Sequence, residues 1–78
     1  MNATTQVIID QLPKKPLLSP ADVAAAYGLA TTQTILADIK VGKLAANIVG
    51  GKYIIARSAA EAYIAANEYR PEEGTIPS

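Results

Sequence analysis

The 78-residue sequence contains no cysteine and no histidine. Without cysteine there is no disulfide framework, no thiolate nucleophile and no cysteine-based zinc site. Without histidine the common ligand set for zinc or copper is also missing, and neither a Ser-His-Asp nor a Cys-His triad can form. No metal or cofactor is expected. Tryptophan and phenylalanine are absent too, so the core must be aliphatic with tyrosine as its only aromatic residue. Long apolar runs are lacking. Val7-Ile8-Ile9 stands near a start without a basic segment, and nothing approaches the ~18 apolar residues of a membrane-spanning helix. A cytosolic location without a membrane partner is expected. Net charge is the last absence: seven Lys+Arg balance seven Asp+Glu. This zero offers no whole-chain electrostatic reason to expect a nucleic-acid partner.

What is present qualifies that zero. From Lys14 to Arg57 there are six basic residues (Lys14, Lys15, Lys40, Lys43, Lys52, Arg57) and two acidic ones (Asp22, Asp38), a net of +4. From Ser58 onward Arg70 faces Glu61, Glu68, Glu72 and Glu73, a net of −3, and Asp10 supplies the remaining −1. A basic centre with an acidic C-terminal part is a pattern associated with polyanion binding. Of 39 hydrophobic residues fifteen are alanine, so the core is small. One domain of this size is marginal alone, and with no disulfide or metal the usual remaining staple is oligomerisation or a partner.

The chain divides into an N-terminal arm and linker (1–16), a folded domain (17–70) and a tail (71–78). Val7-Ile8-Ile9 predicts a short strand or extended arm, followed by Pro13-Lys14-Lys15-Pro16 as a stiff linker. Ser19-Pro20-Ala21-Asp22 is a helix start, with Ser19 as cap, Pro20 at the first helical position and Asp22 placed for a capping box. Gly28 ends that helix. Thr31 or Thr32 can cap a second, running through Ile35, Leu36 and Ile39 to Val41, with Gly42 as its end. Two short helices joined by a few residues after a glycine outline a helix-turn-helix. Gly50-Gly51 between the β-rich runs 47–49 and 52–55 predicts a hairpin. Ser58 to Glu61 reads as a second capping box, opening a helix to about Tyr69, and the tail 71–78 reads as disordered. The fold class is α+β, mostly α.

The ordered set Ser19-Pro20-Ala21-Asp22-Val23-Ala24, Gly28, Ile35, Ile39, Gly42-Lys43-Leu44, the stretch from Val49 to Ser58, and Glu61-Ala62-Tyr63-Ile64 resembles the phage and plasmid excisionase-like DNA-binding domains. These are small winged helix-turn-helix proteins related to the MerR-type domain. The resemblance covers about residues 17–66. It implies binding of double-stranded DNA, with the second helix in the major groove and the hairpin wing on backbone or minor groove. It further implies a role in recombination directionality or transcription in a bacterial or phage-infected cell. Carried over by position, the groove-facing residues are Thr32, Gln33, Leu36, Ala37 and Lys40. Lys43 follows the helix, Lys52 sits at the wing tip and Arg57 follows the second strand.

The residues bound what such a face can do. The second helix has no arginine, so the bidentate arginine–guanine contact is unavailable, while Gln33 can pair with adenine and Thr32 can touch phosphate or a thymine methyl. Lys52 reaches phosphate or simply solubilises a turn. Lys40 and Lys43 contact DNA or complement the helix dipole. Arg57 binds phosphate or pairs with Glu61. Useful affinity needs several copies on adjacent sites, for which the Val7-Ile8-Ile9 run and the Ala62, Ala65, Ala66, Tyr69 face are candidate subunit contacts. The alternative is a protein-interaction module on the same scaffold, such as a phage assembly factor, a terminase small-subunit-like domain or an inhibitor. Enzymatic activity is not expected, because Glu61 and Glu68 have no nearby nucleophile and Gly50-Gly51-Lys52 lacks the spacing of a phosphate-binding loop.

Overall fold

Local signals set most element boundaries in the computed structural model, which describes residues 2–69. In chain order the elements are α1 (Ala3–Asp10), β1 (Leu17–Leu18), α2 (Pro20–Tyr27), α3 (Gln33–Lys40), β2 (Asn47–Val49), β3 (Lys52–Ala56) and α4 (Arg57–Ala66). The three strands form one antiparallel sheet in the order β1-β3-β2.

The capping box of α2 is complete. The Asp22 N–H donates to Ser19 Oγ at 3.2 Å and the Ser19 N–H donates to the Asp22 carboxylate at 3.0 Å. These reciprocal bonds satisfy amides that helix geometry would leave unpaired. At the other end Leu29 N–H donates to Ala24 C=O at 2.9 Å and Gly28 N–H to Ala25 C=O at 3.0 Å. This crossed pair requires the left-handed Gly28, φ +75°, and turns the chain towards α3. α3 begins one residue after Thr32, which makes no side-chain cap bond; instead Gln33 N–H reaches Thr31 Oγ1 at 3.4 Å.

Gly50 and Gly51 both take positive φ, and Val49 pairs with Lys52 across them, as a two-residue hairpin requires. β3 is the central strand. Its far side pairs Leu17 with Ala56 and Leu18 with Ile55, a contact of sequence-distant residues that β-propensity alone does not reveal.

Two expectations are corrected. Residues 3–10 form a helix rather than a strand or extended arm. Asn2 Oδ1 caps it by accepting from Thr5 N–H at 2.8 Å, and α1 packs against α4 and α2. Ile9 and, just beyond the helix, Leu12 join the same core as the rest of the chain. Burial at helical spacing outweighs the β preference of Val7-Ile8-Ile9. Second, α4 starts at Arg57 with Ala56 as an N-cap that makes no side-chain bond. The chain passes from β3 straight into the helix, and Arg57 N–H bonds to Pro16 C=O at 2.9 Å. Ser58 thus lies inside the first turn, and Glu61 pairs with Arg57 instead of closing a capping box. The helix ends at Ala66, before the expected Tyr69. The tail 71–78 lies outside the described residues.

The core is aliphatic. Val23 of α2, Ile35 of α3, Leu44 after α3, Ile55 of β3 and Ile64 of α4 are all fully buried. Every element except β2 thereby sends at least one residue inward.

Gly28→Ala and Gly42→Ala should each cost about 1–2 kcal/mol, measured by urea unfolding, because both glycines hold positive φ. A Cβ at either position meets nothing within 4 Å, so the cost is backbone strain. Asparagine should therefore be tolerated better than alanine at both.

Candidate nucleic-acid interface

The apolar spacing of α3 turns Ile35 into the core and Ile39 against it. The side that meets α4 carries Asp38. Its carboxylate accepts a hydrogen bond from the Tyr63 phenol. Thr34, Ile35 and Asp38 line a shallow depression with Tyr27, Leu29, Tyr63 and Asn67. The Tyr27 and Tyr63 rings meet edge to face with centroids 6.1 Å apart, and Asn67 Nδ2 lies 3.4 Å from the Tyr27 hydroxyl. Burial, then the hydrogen bond to Asp38 and its negative charge, push the Tyr63 phenol far above its ordinary range. The one carboxylate of α3 is therefore turned towards α4 and bound there.

Gln33, Ala37 and Lys40 are exposed. At i, i+4 and i+7 they form one stripe along α3. Thr32 and Leu36 are half-buried beside it. Leu36 is outside the core cluster, yet it is not among the strongly exposed apolar residues. Gly42, φ +87°, then closes the helix as Gly28 closes α2: Lys43 N–H donates to Asp38 C=O at 2.8 Å and Gly42 N–H to Ile39 C=O at 3.1 Å. This leaves Lys43 exposed just past the helix end, and Lys52 exposed beside the hairpin tip. Among the described residues the ion pairs are Lys15–Asp22, at 3.7 Å, and Arg57–Glu61. Lys40, Lys43 and Lys52 are in neither.

Arg57 does not join this set. Its guanidinium binds Glu61, donates from Nε to Pro13 C=O at 3.2 Å and from Nη2 to Ile9 C=O at 3.4 Å. It ties the end of α1 and its following loop to the start of α4. Of the two roles the sequence leaves open for Arg57, phosphate binding or pairing with Glu61, the structure shows the pairing.

Three features escaped the sequence reading. The Tyr63–Asp38 link joins residues 25 apart in sequence, with no local signal. Lys15, read as part of a stiff linker, lines the same depression as Lys52, Tyr53 and Ser19. Val41, Ile48 and Val49 are 68%, 63% and 60% exposed, although their residue types suggest burial. Among the described residues there is no cluster of acidic side chains able to hold a metal ion, and no helix is long and apolar enough to cross a membrane.

Comparison with protein-family models, curated proteins and solved structures finds no match.

Tyr63→Phe should lower stability by about 1–2 kcal/mol at neutral pH, since it removes a hydrogen bond to a charged group. The wild-type protein retains the phenol proton when folded and loses it near pH 10 when unfolded. The contribution is thus full below about pH 10 and declines as pH rises beyond it. Chemical unfolding between pH 7 and 11 should show a shallower alkaline loss in Tyr63→Phe than in wild type; parallel curves would contradict the assignment.

Proposed function

We propose that the chain is a DNA-binding regulator of winged helix-turn-helix form. In this reading α2 and α3 are the helix-turn-helix, α3 enters the major groove, and the β2–β3 hairpin is the wing. The observation that carries it is the exposed stripe Gln33-Ala37-Lys40 with Lys43 and Lys52, three lysines outside any ion pair among the described residues. Lys43 and Lys52 anchor on phosphate, and Lys40 adds positive charge at the helix end. Gln33 reads base edges, with Thr32 beside it and Ala37 allowing close approach. The element order and the sequence resemblance support an excisionase-like role in recombination or transcription, inside a bacterial or phage-infected cell.

Three free lysines limit what one subunit can do. Neutralising about three phosphates gives a log–log salt slope of about −2.7 per subunit. Tight binding therefore requires several copies on adjacent sites. A protein-interaction role remains the second reading, favoured by the exposed Val41, Ile48 and Val49.

Fluorescence anisotropy with a mixed-sequence duplex tests the proposal over a salt series. Lys43→Glu/Lys52→Glu should weaken low-salt binding roughly 10- to 100-fold on every sequence, with a flatter salt slope. Gln33→Ala should alter preference among sequences without changing the slope. Equal binding by wild type and the double variant would remove the anchoring scheme. Absence of low-salt binding by wild type would favour the protein-interaction reading.

A further inference from the structure

The two edges of the sheet are built differently. β1 is two residues long, preceded by Pro16 and followed by Ser19-Pro20, which turns the chain into α2. β2, three residues long, is flanked by no proline. Asn47, Ile48 and Val49 are all exposed, and none is charged or proline. Natural edge strands are usually blunted by charge, proline, a bulge or a cover, because their unpaired amides and carbonyls recruit another strand.

Register shows which backbone groups are free. Val49 pairs with Lys52 across the two-residue turn, Ile48 with Tyr53 and Asn47 with Ile54. In such a hairpin the pair flanking the turn exchanges both hydrogen bonds, and bonded and non-bonded pairs then alternate. Val49 and Asn47 therefore direct their N–H and C=O at β3. Ile48 occupies the non-bonded position and directs both groups outward.

We infer that this edge is occupied by β2 of a second copy, paired antiparallel about a two-fold axis at Ile48. The strand is complementary to itself in this arrangement. Each Ile48 N–H donates to the other Ile48 C=O, and Asn47 lies opposite Val49 of the second copy. The strand carries no charge, and the nearest lysine, Lys52, is one strand inward, so pairing brings no like charges into opposition. For the same reason a charged peptide would find no countercharge on β2. The product is a continuous six-stranded sheet that covers the 63%-exposed Ile48. It also supplies the oligomeric staple that so small an aliphatic core calls for. This pairing differs from the Val7-Ile8-Ile9 and α4 contacts expected from sequence, and it needs no DNA.

Light scattering on the protein alone, from micromolar to millimolar, tests it together with two variants. Ile48→Pro removes the outward N–H while leaving the bonds to β3. Ile48→Cys places one thiol in a chain without cysteine, opposite its two-fold mate at a Cα separation of about 5.5 Å, within disulfide range. Wild type should rise to twice the chain mass, Ile48→Pro should stay at one chain mass with unchanged helical circular dichroism, and Ile48→Cys should oxidise to a dimer far faster than Val7→Cys. A wild type that stays monomeric, an Ile48→Pro that associates like wild type, or equal cross-linking at positions 48 and 7 would each overturn the inference. Should Ile48→Pro lose its helical signal, the cysteine pair decides.

Discussion

The hydrogen bond from Tyr63 on α4 to Asp38 on α3 governs the rotation of α3, and with it the character of the candidate face. Ile35 and Ile39 alone would seat α3 on the core, but an apolar stripe tolerates some roll. A buried phenol, 4% exposed, bonded to a carboxylate does not, since separating them leaves a buried polar group unpaired. With that roll set, Asp38 meets α4 and the stripe Gln33-Ala37-Lys40 meets solvent. A helix with one acidic and one basic residue thus leaves the basic one exposed and holds the acidic one half-buried against α4.

Charge is partitioned on the same logic. The whole chain sums to zero, yet the acidic groups of the basic central segment are engaged: Asp38 by Tyr63 and Asp22 by Ser19 and Lys15. Arg57, the one arginine among the described residues, is taken up with Glu61 and two backbone carbonyls. What remains exposed and outside these pairs is Lys14 in the linker and, on the candidate face, Lys40, Lys43 and Lys52. That is enough for weak anchoring and too little for tight binding by one subunit, which is why association between copies matters to the proposed function. A two-fold pairing through β2 would place two such lysine sets on one assembly.

Legibility in the sequence followed the range of the interaction. The α2 start was readable because Ser19, Pro20 and Asp22 act within one turn. Gly28, Gly42 and Gly50-Gly51 were readable because positive φ is a property of one or two residues. α1 was misread because Val7-Ile8-Ile9 favours strand locally, while burial of Ile9 and Leu12 in the common core decides for helix. β1 was missed because its partner is some forty residues away. For the candidate face, Gln33, Ala37, Lys40, Lys43 and Lys52 stand exposed where sequence placed them. Arg57 was ambiguous in sequence because phosphate and Glu61 compete for it, and only the positions of Pro13 and Ile9 resolve that competition.

The central proposal is that the α3 stripe and the hairpin tip form the DNA face. Amide chemical-shift mapping during titration with a short duplex at low salt tests it most directly. Shifts should concentrate at Gln33, Ala37, Lys40, Lys43 and Lys52, with α1 and the Arg57 backbone unmoved. Shifts centred on α1 or α4, or no shifts at saturating duplex, would contradict it.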